Sequence, residues 1–194
     1  MAISTQERQA GFTLIELIVT MSIAAILLAI AAPSFTAFQR NSELSSIANN
    51  FLAALNSARS EGMKRNMDGM LTPKDGDGAW KKGWIVFVDV DRNGSYNDGD
   101  ILVMEHDALP NYITVSTNST DPLGATASYA RFDGSGFPKP KSSDLPNATL
   151  SFGRSDASAD YSQIRRVIIA STGRPRVCKP TSASDTSCAS SASN

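Results

Sequence analysis

The sequence predicts an α+β fold in which one long N-terminal helix precedes antiparallel β-structure. Three observations carry this expectation. Residues 17–32 are apolar or small except for Thr20 and Ser22; residues 44–58 repeat apolar side chains at spacings of three and four; and beyond residue 84 short β-branched or aromatic runs alternate with Gly, Pro, Asn and Asp clusters. At 194 residues and a formal net charge of −1, the chain is long enough for one ordinary domain plus an appendage.

The first element approaches the roughly 20-residue helix that a bilayer core requires. Phe12 to Leu14 lengthen it only by accepting Glu16. A carboxylate in a span costs on the order of 3 kcal/mol near the helix centre and less near its end, so a compensating partner is expected. The flanking sequence offers one. The polar stretch MAISTQERQAG ends at Gly11, directly before the apolar run, whereas a secretory signal places its cleavage site after the apolar core. A cut after Gly11 would leave the helix on the mature chain, and the new amine of Phe12 would lie four residues from Glu16. Amine and carboxylate can then neutralise each other within one molecule or between packed neighbours.

The stretch Gly11, Phe12, Thr13, Leu14, Ile15, Glu16 with the apolar helix behind it resembles the processing site of type IV prepilins and type II secretion pseudopilins. The resemblance implies cleavage after Gly11 by a prepilin peptidase, N-methylation of Phe12, and a Glu16 that guides the subunit into a helical filament. The leader departs from the family norm in carrying Glu7 beside Arg8.

Past Pro33, which is expected to kink a helix this long, the pattern turns amphipathic. Leu44, Ile47, Ala48, Phe51, Leu52, Leu55 and Ala58 make one stripe, with Arg40, Glu43, Asn49, Asn50 and Asn56 between them. A helix from about Phe12 to Lys64 would be on the order of 80 Å long. The strands expected after it are Trp84–Val90, Ile101–His106, Tyr112–Thr117, Tyr129–Phe132, Ala148–Phe152 and Arg165–Ser171. Consecutive strands without helical patterns between them predict antiparallel sheets packed on the stripe. Residues 66–83 read as a mobile connection. The expected division is a leader over 1–11, a transmembrane or filament-core helix over 12–34, its amphipathic half over 35–66, a β-rich domain over 67–180, and a Ser-rich tail over 181–194.

The strand GWIVFVDVDRNGSYNDGD, the hairpin-like RFDGSGFP and the late STGRPRV are together similar to the soluble domain of FimT/GspH-type minor pilins. By that resemblance the fold is type IV pilin-like and the partners are other major and minor pilins. The chain would sit in the inner membrane as a single-pass protein with a periplasmic domain, then in a pilus at or near its tip.

Charge is unevenly spread. Residues 68–107 hold nine acidic side chains against four Lys or Arg, while residues 161–184 hold five basic ones and no acid: Arg165, Arg166, Arg174, Arg176 and Lys179. In an extended segment Arg174 and Arg176 point the same way, about 7 Å apart, which suits successive phosphates, and guanidinium forks match phosphate oxygens well. Gly173, Arg174, Pro175 and Arg176 form a Gly-Arg-x-Arg pattern similar to that of FimT-type pilins that bind DNA during natural transformation. The resemblance implies binding of double-stranded DNA, with Arg165, Arg166 and Lys179 in support; with few phosphates neutralised and no base-reading element visible, such binding is expected to be weak, non-specific and salt-sensitive. The alternatives are a solvated strand edge or pairing with the acidic middle of the chain.

Two smaller features complete the reading. Asp89, Asp91, Asn93, Ser95, Asn97 and Asp100 fall at positions 1, 3, 5, 7, 9 and 12 of an EF-hand-type loop, which suits Ca²⁺ as the one candidate cofactor. The alternative is a hairpin loop whose Asn-Gly and Asp-Gly steps satisfy turn geometry. Cys178 and Cys188 suggest a local disulfide outside the cytoplasm, pinning the tail, with two unpaired thiols as the alternative. His106 is the only histidine and has no nucleophile or phosphate loop beside it, so no enzyme is expected. Three roles follow: a minor pilin that helps prime or cap a pilus and contacts DNA, one that serves assembly alone, or a GspH-like pseudopilin of type II secretion.

Overall fold

Helix α1, Leu14–Arg65, is continuous through Pro33. The structure is a computed structural model that describes residues 11–75, 79–117, 129–139, 148–156, 160–170 and 172–189. The chain divides into two compact units, Met1–Asn41 and Ser42–Asn194. In the first unit Thr13 caps the helix, its Oγ1 accepting the Glu16 amide at 3.3 Å. Thr20 and Ser22, the two hydroxyls in the apolar run, donate back to the carbonyls of Leu17 and Ile18 at 2.9 and 2.8 Å. That removes their need for water. Phe12, Leu14, Ile15, Leu17, Ile26 and Leu28 are all exposed, and the helix is long and apolar enough to cross a membrane.

The second unit holds eight strands: β1 Asp68–Pro73, β2 Trp84–Asp89, β3 Ile101–His106, β4 Ile113–Thr117, β5 Ala130–Phe132, β6 Ala148–Arg154, β7 Ile164–Ile169 and β8 Pro175–Cys178. They form two antiparallel sheets, ordered β3-β2-β1-β5 and β4-β6-β7-β8. The helix stripe buries Leu44, Ile47, Ala48, Phe51, Ala54, Leu55, Ala58 and Gly62. Leu52, expected in the stripe, is only half-buried. Phe51 ties the layers together: its ring meets Trp84 of β2 at 5.1 Å and Phe152 of β6 at 5.5 Å, both edge-on. Each such pair is worth about 0.5–1.5 kcal/mol beyond the area it buries.

Residues 66–83 are not a mobile connection where they are described. They contain β1, which is buried throughout and lies between β2 and β5 at the centre of its sheet. The Gly and Asp that mimic a loop have a packing cause. Gly69 passes so close to α1 that a Cβ there would lie 1.9 Å from the Ala58 carbonyl oxygen, and Gly62 of the helix faces it in turn. His106, the lone histidine, stacks on Trp84 with ring centroids 4.0 Å apart.

Candidate functional site

Strand β7 separates the two arginines that adjoin in sequence. Side chains alternate across a sheet, and Arg165, Val167 and Ile169 face α1 while Arg166 and Ile168 face outward. Arg165 is therefore buried: its Nε donates to Ser45 Oγ at 3.0 Å and its Nη1 to the carbonyls of Ser162 and Ile164 at 2.8 and 2.9 Å. Burial alone pushes its pKa below the ordinary value. Such a guanidinium supports the fold and is withdrawn from any anion at the surface, contrary to the supporting role expected of it.

The turn from β7 to β8 places the Gly-Arg-x-Arg motif. Gly173 N donates to the Ala170 carbonyl at 2.8 Å and Ala170 N to the Arg174 carbonyl at 3.1 Å, closing a tight hairpin. Gly173 has φ +78 and is packed so that a Cβ would stand 2.8 Å from Pro138 Cδ, so only glycine fits on both counts. Arg174 lies exposed where the turn enters β8. Arg176 follows on β8 opposite Ile168, half-buried, with its Nε enclosed and without a hydrogen-bond partner. Neither side chain forms an ion pair among the described residues. Lys179 is exposed, and its charge helps hold the Asp160 carboxyl below its ordinary range, after the larger effect of two hydrogen bonds from Ser162.

The two later motifs that are far apart in sequence meet at this hairpin. In RFDGSGFP, Asp133 Oδ1 accepts the amides of Ser135 and Phe137 at 2.9 and 3.0 Å, and Phe132 bridges to Pro138. Pro138 and Gly136 then pack against Gly173. Arg59 of α1 reaches the same place, with Nη1 3.4 Å from the Gly173 carbonyl. Sequence reasoning missed Arg59, because one arginine on the polar side of an amphipathic helix carries no signal.

The Asp-rich loop lies elsewhere, between β2 and β3. Oxygens of Asp89, Asp91 and Asp100 lie within 4.8 Å of one another. Each also serves the backbone. Asp89 accepts the amides of Asn93 and Gly94 at 3.1 and 2.8 Å, Asp91 that of Asn93 at 3.1 Å, and Asp100 those of Val90 and Asn97 at 2.9 and 3.0 Å. Asn93 and Asn97 add donors to Asp91, and Ser95 contributes its amide to Asn93. Burial raises the Asp89 pKa above the ordinary carboxylate value, opposed by the Gly94 amide. For Asp91 desolvation acts upward too, but hydrogen bonds from Asn93 and Asn97 outweigh it and leave the pKa lowered. The donor set is chemically suited to a hard cation such as calcium, and the same bonds close the turn as it stands.

Cys178 and Cys188 form a disulfide, with Cα atoms 5.9 Å apart. At the other end of the chain Gly11 is exposed and Phe12 is 79% exposed, ahead of Glu16 in the first helical turn.

Comparison with known proteins agrees with this arrangement. Residues 48–173 match the family model described as type II transport protein GspH, and residues 7–32 match the prokaryotic N-terminal methylation motif. Two crystal forms of the type IV minor pilin FimU from Pseudomonas aeruginosa share the fold. One, at 20% identity and TM-score 0.53, covers 75% of this chain and 98% of that one; the other, at 19% and 0.50, covers 71% and 98%. The minor pseudopilin EpsH of the Vibrio cholerae type II secretion system matches at 15% identity and TM-score 0.49, over 72% of this chain and 99% of that one. No curated protein sequence matches the chain. With a methylation motif opening a long apolar helix and the family model spanning most of the β-rich unit, the chain belongs to the GspH family and has the pilin-like fold of a minor pilin or pseudopilin.

Proposed function

We propose that this protein is a minor pilin of a type IV pilus that contacts DNA through Arg174 and Arg176. The observation that carries the reading is the β7–β8 hairpin. Beside its turn Arg174 is exposed to solvent with no ion pair among the described residues, and Pro138 and Arg59 pack against the turn at Gly173. A fixed turn lowers the ordering cost of binding. Two guanidinium groups with no base-reading element beside them favour phosphate contacts, so binding would be weak per subunit, independent of base sequence and steeply salt-dependent. In this reading a prepilin peptidase cuts after Gly11, Phe12 is N-methylated, and the new amine meets Glu16 of its own or a neighbouring subunit as pilins assemble from the inner membrane. The soluble domain would face the periplasm and then stand at or near the pilus tip.

The family description favours a second reading, a pseudopilin of a type II secretion system that meets other secretion subunits and no DNA. The two separate in cells. An Arg174→Gln/Arg176→Gln strain that keeps its pili and loses transformation supports the first. Unchanged transformation, with secretion lost on deletion of the gene, supports the second.

A further inference from the structure

The outer face of the β4-β6-β7-β8 sheet holds a feature that an exposed hairpin does not explain. Register pairs Arg166 with Cys178 and Ile168 with Arg176, so these four side chains share one face, with Arg166 and Arg176 as diagonal neighbours. Such diagonals are about 7–8 Å apart at Cα. An outward residue stays buried only if something lies on it, and Ile168 is 1% exposed. The tail returns to this face at Cys188, which is bonded to Cys178 and accepts a hydrogen bond from Arg166. Cys188 is 2% exposed and bonded to Cys178, and Pro180 is buried. Asp185 holds the tail's shape by accepting the amides of Thr181, Ser187 and Cys188 at 3.0, 3.0 and 3.1 Å and the hydroxyls of Thr181 and Ser187.

Next to Cys188 the two guanidinium groups on this face are incompletely paired. Arg166 donates from Nη1 to the carbonyl oxygen of Cys188, while the Nε atoms of both Arg166 and Arg176 are enclosed with no partner among the described residues. A buried unsatisfied donor costs about 1–3 kcal/mol, more on a charged group, and two side by side require a reason. Neither arginine forms an ion pair among the described residues, and the Asp185 carboxylate is engaged by Thr181, Ser187 and Cys188 of the tail.

We infer that Arg166 and Arg176 form a covered site for one phosphate oxyanion, in which the Cys188 carbonyl holds the place of a phosphate oxygen until the tail lifts. A phosphate oxygen is the stronger acceptor, because hydrogen bonds between ionised partners are about twice as strong as neutral ones. It could also satisfy the Nε donors that the carbonyl leaves free. The inference deepens the DNA-binding reading and rests on it for its duplex form, since Arg176 belongs to both. It also gives Arg166 a role that Arg165 cannot share.

The test compares full-length protein in detergent micelles with a Cys178→Ser/Cys188→Ser variant and, because loss of the disulfide can cost folding, with Asp185→Ala, which unpins the tail and keeps the bridge. Thermal unfolding verifies that each is folded. The expected result with a mixed-sequence duplex is tighter binding by both tail-released forms, with the slope of log K against log salt steeper by about 0.9, one further phosphate neutralised. Adding Arg166→Gln should return the slope to its starting value. A second arm titrates inorganic phosphate and follows its ³¹P line width, which should broaden with tail-released protein and not with its Arg166→Gln form. Broadening without any duplex binding keeps the oxyanion site and refutes the DNA reading alone. An unchanged slope together with unchanged line width, or a gain that survives Arg166→Gln, overturns the inference.

Discussion

A Cβ placed on Gly69 would stand 1.9 Å from the carbonyl oxygen of Ala58, closer than a carbon and an oxygen can sit unbonded. The obstacle is helix backbone, so no side-chain rotation relieves it. Gly69→Ala must push β1 away from α1 and disturb the centre of the β3-β2-β1-β5 sheet. Overpacking costs about 1–3 kcal/mol and more where backbone has to move, so a loss near 3 kcal/mol and a fall in Tm on the order of 10 °C are expected. Gly94→Ala is the control. It has φ +79 but open space around it, so only the backbone penalty of about 1 kcal/mol applies. Equal shifts in the two variants would contradict the close helix–strand approach.

Arg165 and Arg166 are adjacent in sequence and should respond in different assays. Arg165→Met removes the donor to Ser45 and to two carbonyls in the interior. A loss of about 1–3 kcal/mol in urea unfolding is expected, with the salt dependence of duplex binding unchanged. Intact stability combined with lost binding would place Arg165 at the surface after all.

The tail should loosen in acid. Hydrogen bonds from Ser187 and Thr181 depress the Asp185 carboxyl far below the usual range. A depressed carboxylate contributes stability that is present above its unfolded pKa, about 3.9, and is lost as pH falls toward the folded value. Amide exchange at Thr181 and Cys188, corrected for intrinsic rates, should therefore lose protection between about pH 5 and about pH 2. Asp185→Asn should flatten that dependence. Protection that is level across the range in the unaltered protein would contradict it.

How far the sequence discloses this molecule depends on whether a residue's surroundings are local. The stripe from Leu44 to Ala58 is legible because helical period alone brings those side chains to one face, and the prepilin-like start is legible because the order of leader, Gly11 and apolar run is itself the signal. Strand β1 is hidden, since Gly69 reflects a contact with Ala58 that no neighbour in sequence announces. Alternation along β7 was a usable signal for Arg165 and Arg166: two consecutive strand residues cannot both face the same partner. The disulfide could be read from two cysteines ten residues apart. The sheet face to which it ties the tail could not, because that follows from the register of β7 with β8.

Duplex binding by the full-length protein, measured across salt concentrations for the wild type and for Arg174→Gln/Arg176→Gln, tests the central claim most directly. The double variant should keep its unfolding midpoint, lose most of its affinity, and show a log K against log salt slope shallower by about 0.9, the one phosphate contact that exposed Arg174 makes while the tail is closed. Affinity and slope both retained in the folded double variant would contradict the assignment of this hairpin to DNA.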